Sequence, residues 1–149
     1  MSRGRANILI VDDDVEVANA LATMLDAEGG YESCLVHCAS DAVSAAAEFL
    51  PAIVFLDIEL PDMSGYEVAQ LLRRHAQLQA TRLIALTDNI EHPGREDARA
   101  AGFERYLVKP VTQVELHKVL RRRISIGYGP VPPRRSRDQP ALIRNEQPA

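Results

Sequence analysis

The stretch Ile53-Val54-Phe55-Leu56-Asp57 constrains the fold more than any other part of this chain. Four consecutive apolar residues, two of them β-branched and one aromatic, read as a strand buried on both faces, because a strand with one wet face would alternate. Such a strand belongs inside a sheet that carries helices on both sides. Asp57 closes the run, and Pro61 and Gly65 mark the turn that follows it. Ligands of open α/β sheets collect at the carboxyl ends of strands. A carboxylate at that position is therefore a candidate functional group.

The rest of the chain alternates around this strand. Ile8-Leu9-Ile10-Val11 is a second apolar run, ending at Asp12-Asp13-Asp14, and Val17, Leu21, Met24 and Leu25 then recur at helical spacing until Gly29-Gly30. Tyr31 to Cys38 reads as a weaker strand, and Ser40 as the cap of a helix carrying Val43, Ala46, Ala47 and Leu50. Ser64-Gly65-Tyr66-Glu67 is a capping box opening a third helix, with Val68, Leu71 and Leu72 inward. Arg82 to Leu86 predicts a fourth strand ending at Thr87-Asp88, and Arg105 to Val108 a fifth ending at Lys109-Pro110. A helix is expected between them, from about Gly94 to Ala101. Thr112-Gln113-Val114-Glu115, another capping box, opens the last helix, whose stripe is Leu116, Val119, Leu120 and Ile124. Strict alternation implies parallel strands joined by right-handed crossovers, and so an open, doubly wound α/β sheet of five strands.

This reading gives one domain over residues 6–124. The Pro- and Arg-rich segment 125–149 lacks periodicity and is expected to be a disordered tail or linker. That segment holds Arg134, Arg135, Arg137 and Arg144 against Asp138 and Glu146, a net of +2, while the whole chain is −4. Residues 1–124 therefore carry −6, the wrong sign for a nucleic-acid-binding domain, so no direct nucleic-acid contact is expected. No apolar run approaches the roughly 18 residues of a membrane helix, and the N-terminus has no signal-peptide core. Two cysteines, Cys34 and Cys38, are too few for a disulfide framework. A cytoplasmic protein without membrane contact is the expectation.

The strand ends bring chemistry to one edge. The first strand delivers Asp12 and Asp13, the third Asp57, the fourth Thr87 and the fifth Lys109. Converging carboxylates repel and raise one another's pKa unless a cation joins them, and hard oxygen ligands with room for water suit Mg²⁺. Such a site fits a phosphoryl group. Metal and ammonium neutralise its oxygens, the Thr87 hydroxyl donates to another, and Asp57 is the nucleophile that forms an acyl phosphate. Asp13 is expected to bind the metal directly and Asp12 through water, with the Glu59 backbone carbonyl as a further ligand. Asp14 reads as a helix cap alone. Of 17 basic residues only Lys109 and Lys118 are lysine, so a compact ammonium at the fifth strand's end is a specific choice, not interchangeable with a guanidinium.

Over about residues 6–124 the sequence resembles the receiver domain of two-component response regulators. The resemblance rests on Ile8-Leu9-Ile10-Val11-Asp12-Asp13-Asp14, on Asp57-Ile58-Glu59-Leu60-Pro61-Asp62-Met63-Ser64-Gly65, on Ala85-Leu86-Thr87 and on Tyr106-Leu107-Val108-Lys109-Pro110. It implies a flavodoxin-like strand order 2-1-3-4-5 and phosphoryl transfer to Asp57 from a histidine kinase or a histidine phosphotransfer domain. A cis Lys109-Pro110 peptide that aims the lysine at the site is implied as well. So is a switch in which Thr87 moves toward the phosphate and Tyr106 turns inward. That change would alter the surface of the fourth helix, fifth strand and fifth helix for a downstream protein or for phosphorylation-dependent homodimerisation. Asp88 departs from the family's usual small residue and places a carboxylate at the mouth of the site.

Other readings compete. A Mg²⁺-dependent phosphatase with an aspartyl nucleophile would place that nucleophile in a D-x-D after its first strand and carry a cap domain, whereas here the expected nucleophile, Asp57, ends the third strand and no cap domain is expected. Flavin binding needs a phosphate loop where Asp12-Asp13-Asp14 would repel phosphate. Cys34, His37 and Cys38 faintly resemble metal ligands but lack a fourth partner, so half-buried strand thiols are expected. A signalling domain that assists only its own phosphorylation and dephosphorylation is the favoured reading, either standing alone or as part of a hybrid kinase.

Overall fold

A computed structural model describes residues 5–88 and 101–121. The helix expected near Gly94 and the segment 125–149 lie outside the described residues. Five strands, β1 (Ala6–Val11), β2 (Tyr31–Val36), β3 (Ile53–Asp57), β4 (Arg82–Thr87) and β5 (Phe103–Val108), form one parallel sheet in the order β2-β1-β3-β4-β5. Around it are helices α1 (Val15–Glu28), α2 (Ala39–Phe49), α3 (Gly65–Arg73) and α4 (Gln113–Arg121), with a short 3-10 turn at Ala76–Leu78. This is the doubly wound order that the resemblance implies. No helix among the described residues is long and apolar enough to cross a membrane.

Every residue of β3 is buried, as a central strand requires. Leu9, Val11, Val54, Leu56, Leu83 and Ala85 pack on one face with Ala42 and Ala46 of α2 and Val68 and Leu72 of α3. The alternate residues Ile8, Ile10, Phe55, Ile84 and Leu86 point to the opposite face and are equally sealed from water. The chain passes from β1 outward to β2 and then returns to β3 on β1's other side. The crevice of the fold therefore opens between the ends of β1 and β3. Register pairs Val11 with Leu56, so Asp12 and Asp57 leave the sheet at the same level.

Helix ends follow local chemistry at α1, α3 and α4; at α3 the Ser64 hydroxyl accepts from Tyr66 N–H at 3.1 Å. Asp14 caps α1 by accepting from the N–H groups of Glu16 and Val17, and Gly29 ends it at φ 79°. At α4 the Thr112–Glu115 box is complete: Glu115 N–H donates to Thr112 Oγ1, and Thr112 N–H to Glu115 Oε1, both at 3.1 Å. At α2 the expectation fails. Ser40 is a residue within the helix, and its N-cap, Cys38, makes no side-chain cap bond. The cap comes instead from Asp62, whose two carboxylate oxygens accept from Ala39 N–H at 3.0 Å and Ser40 N–H at 3.1 Å. The buried stripe of α2 is also rotated, to Ala39, Ala42 and Ala46. Leu50 takes the left-handed C-cap position and stays exposed.

Gly65 opens α3 directly beneath the end of β3. A Cβ there would lie 2.5 Å from both the Asp57 carbonyl oxygen and the Ile58 Cα, backbone atoms with no freedom to rotate away. Gly65→Ala is expected to lower stability by about 1–3 kcal/mol through overpacking, although alanine is the better helix former. A urea titration checks the sign, with a lower midpoint at unchanged slope as the expected result.

Candidate functional site

Two carboxylates and one ammonium are buried together at the carboxyl edge of the sheet. Asp12 follows β1 and is fully buried, and Asp57 ends β3 at 4% exposure. Lys109 follows β5, and its Nζ stands 2.9 Å from Asp12 Oδ2 and 3.1 Å from Asp57 Oδ2. The Lys109–Pro110 peptide is cis, as the resemblance implied, and the Lys109 N–H donates to the Thr87 carbonyl at 2.8 Å. The backbone that carries the ammonium is thus tied to the end of β4.

The remaining oxygens are held by backbone. Asp57 Oδ1 accepts from Glu59 N–H at 2.8 Å, and Asp12 Oδ1 from Asp14 N–H at 2.9 Å. Asp12 Oδ2 is different. It is buried and lacks a well-aligned hydrogen bond, and Lys109 is its ion-pair partner. Burial, above all, raises the Asp57 carboxyl to about 7; nearby Asp12 adds to the rise, while the Glu59 N–H and Lys109 oppose it. Burial alone would pull Lys109 down, but its contacts with Asp12 and Asp57 leave it raised. One ammonium does not neutralise this cluster.

Asp13 is exposed at the rim. One oxygen from each of Asp12, Asp13 and Asp57 can lie within 4.8 Å of the others. Three converging hard oxygens, one of them buried without a hydrogen bond, fit a small divalent cation such as Mg²⁺. Glu59 is exposed and pairs with Ser64 across the base of its loop. Pro110 and Asp88, the residues that follow Lys109 and Thr87, are exposed.

Thr87 is fully buried at the end of β4. It shares a sheet face with Ala85, which pairs with Tyr106 of β5, so the two expected switch residues are neighbours on one surface. Tyr106 is half-buried against the core, and its hydroxyl meets that of Tyr66 on α3 at 3.1 Å. The Tyr66 ring in turn stands edge-on to Phe103, with centroids 6.1 Å apart.

Asp12, Asp13, Asp57, Thr87 and Lys109 therefore lie at the carboxyl edge, with Asp12 and Asp57 in direct contact with Lys109, whereas Tyr106 sits two residues back along its strand and meets Tyr66. Three participants carried no such expectation. Tyr66 looked like part of a capping box and proves to be the hydroxyl partner of Tyr106. His37 looked like a faint metal ligand, yet its Nδ1 lies 2.9 Å from the Asp12 carbonyl. Since a carbonyl only accepts, that nitrogen carries the proton. Asp62 caps a helix from 22 residues away. Their partners are distant in the chain, so no local pattern announces them.

Residues 8–121 match the family described as the response regulator receiver domain. Among curated relatives, the DNA-binding response regulator MtrA of Mycolicibacterium smegmatis is 33% identical over 95% of this chain and 56% of its own length. The chain thus spans about half the length of the curated relatives it first matches. Among solved structures, the chemotaxis protein CheY4 of Vibrio cholerae is 26% identical over 78% of this chain and 97% of that one, with a TM-score of 0.73. The receiver domain of the sensor histidine kinase PA1611 of Pseudomonas aeruginosa, described with a magnesium ion coordinated in its active site cleft, is 30% identical over 79% of this chain and 95% of that one, with a TM-score of 0.71. Fold, strand-end chemistry and these likenesses agree: the chain belongs to the response regulator receiver domain family.

Proposed function

We propose that this chain is a phosphorylation-controlled switch in which Asp57 accepts a phosphoryl group from a histidine kinase or a histidine phosphotransfer domain. The observation that carries the reading is the buried, under-neutralised cluster of Asp12, Asp57 and Lys109 at the fold's crevice. An Asp57 carboxylate oxygen attacks phosphorus, the bond from phosphorus to the donor's imidazole nitrogen breaks, and an acyl phosphate forms as the imidazole regains its electron pair. Lys109 stabilises charge on the transferred group, and the Thr87 hydroxyl donates to one of its oxygens. Asp12, Asp13, Asp57 and the Glu59 carbonyl would hold Mg²⁺, which when bound neutralises the carboxylates and the phosphoryl oxygens. Thr87 and Tyr106 relay the change to the surface beside β5. The chain acts as a signalling domain in the cytoplasm, and its partners are a phosphodonor protein and a downstream protein. The relative's description as DNA-binding belongs to a protein nearly twice as long, and this acidic domain makes no nucleic-acid contact of its own.

The direct test is incubation with acetyl phosphate or beryllofluoride, with and without Mg²⁺, read by intact mass or by amide shifts. Modification that needs Mg²⁺ and disappears in Asp57→Asn is the expected result. Turnover of phosphate esters without a modified Asp57 would support an aspartyl phosphatase instead.

Electrostatics gives an independent check in the metal-free protein. The folded Asp57 carboxyl, at about 7, holds its proton more tightly than an unfolded one near 3.9. Its contribution to stability is therefore full below pH ~4 and is lost as pH rises toward 7. Asp57→Asn should stabilise the protein above pH 7 by on the order of 1–2 kcal/mol, a value discounted for Lys109 and solvent screening. The gain should vanish near pH 4. Thermal melts in chelator across this range measure the difference, and saturating Mg²⁺ should shrink it.

Asp88 follows the buried Thr87 and is itself exposed. A carboxylate there repels small anionic donors and crowds the approach of water. Asp88→Ala is expected to speed labelling by acetyl phosphate and to shorten the acyl phosphate lifetime, each by a factor of about 2–5, the scale of one partly screened charge. Rates equal to wild type in both assays would remove Asp88 from the mechanism.

A further inference from the structure

We infer that residues 37–40, the turn after β2 and the first residues of α2, brace the two acidic loops of the site against each other, with His37 and Asp62 as the positioning residues. The inference deepens the phosphoacceptor reading above, because what the brace holds is the pair of loops proposed to take Mg²⁺.

Beyond the last paired residues, Val11 and Leu56, the loops after β1 and β3 no longer bond to each other through the sheet. The peptides of Asp12 are nevertheless held on both sides, by the last residue of β2 and by the residue after it. The Asp12 N–H donates to the Val36 carbonyl at 3.1 Å, and the Asp12 carbonyl accepts from His37 Nδ1 at 2.9 Å. Two and three residues further on, Ala39 and Ser40 donate their N–H groups to Asp62. Asp62 lies on the loop between β3 and α3, which is closed at its base by the Glu59–Ser64 bridge and by Gly65 N–H donating to the Ile58 carbonyl at 3.0 Å. From that closed loop Glu59 N–H reaches Asp57 Oδ1. The path from Asp12 to Asp57 is thus continuous through His37, the start of α2, Asp62 and Glu59.

The way α2 is capped favours a brace over a plain helix cap. A serine or aspartate at position 38 would cap the helix locally, but Cys38 makes no cap bond. Capping by Asp62 instead ties the start of α2 to the position of the acidic loop. The clamp also stays charged, since the Ala39 and Ser40 N–H groups hold the Asp62 carboxyl below its usual range, where it complements the helix dipole.

Amide hydrogen exchange by NMR on the full chain without metal tests the brace. Asp62→Ala is expected to speed exchange at Asp13 and Asp14, on the other loop, and His37→Ala to speed it at Glu59. Asp62→Asn keeps one acceptor oxygen and should give a smaller change of the same kind. The β4 amides Leu83–Leu86 should stay protected in every variant, which separates this effect from general loosening. Effects confined to the substituted loop would overturn the brace. Titration with MgCl₂ then reads the consequence: each single variant should weaken binding about 3- to 10-fold, the scale of a lost hydrogen bond to a charged or positioning group. The double variant should be little worse than the weaker single, because both cut one path. Losses that multiply would also overturn the brace. Wild type that takes up no Mg²⁺ would count against the phosphoacceptor reading, whereas the exchange experiment judges the brace by itself.

Discussion

Lys109 Nζ holds two buried carboxylates from different strands, 2.9 Å from one and 3.1 Å from the other. Much of the surrounding structure exists to make that arrangement tolerable. An isolated carboxylate in this position would simply protonate, and Asp57 goes part of the way. Backbone N–H groups from Glu59 and Asp14 take one oxygen of each aspartate, which leaves the two Oδ2 atoms facing a single ammonium. The remaining imbalance is an excess of buried carboxylate charge over the one ammonium that meets it.

Topology decides where this imbalance can sit. The reversal of strand order between β1 and β3 leaves a crevice that no crossover covers. Into it come a turn and a loop that are each shaped by their own short-range bonds, with Gly65 packed so closely under Asp57 that no side chain fits. Farther from the site, Arg73 plays a comparable part at the other end of α3. Its guanidinium donates to the carbonyls of Leu78, Gln79 and Gly102, which joins the helix end to the approach to β5.

Features written into neighbouring residues were readable from the sequence. The apolar run of β3, the Asp14 cap, the Gly29 stop and the Thr112–Glu115 box are all local, and each stands as expected. The strand-end residues were readable too, because a parallel sheet sends them all to one edge. What could not be read depends on partners far along the chain. Ser40 was a sensible cap until Asp62 arrived from the next loop, and α2 was free to rotate once small alanines could approach the sheet. His37 and Tyr66 gained their partners, Asp12 and Tyr106, only through folding. Periodicity and propensity carry no information about such pairs.

The hydroxyl contact between Tyr66 and Tyr106 has a consequence for the two ends of the domain. At the crevice almost every interaction involves formal charge, and such forces weaken with salt and vary with proton and metal concentration. The contact beside β5 joins two phenol hydroxyls, with Tyr66 set against the Phe103 ring. Ionic conditions that change the charged crevice will therefore leave this contact largely untouched. The two ends of the domain thus answer to different solution conditions, the crevice to salt, protons and metal, and the surface beside β5 to none of them strongly.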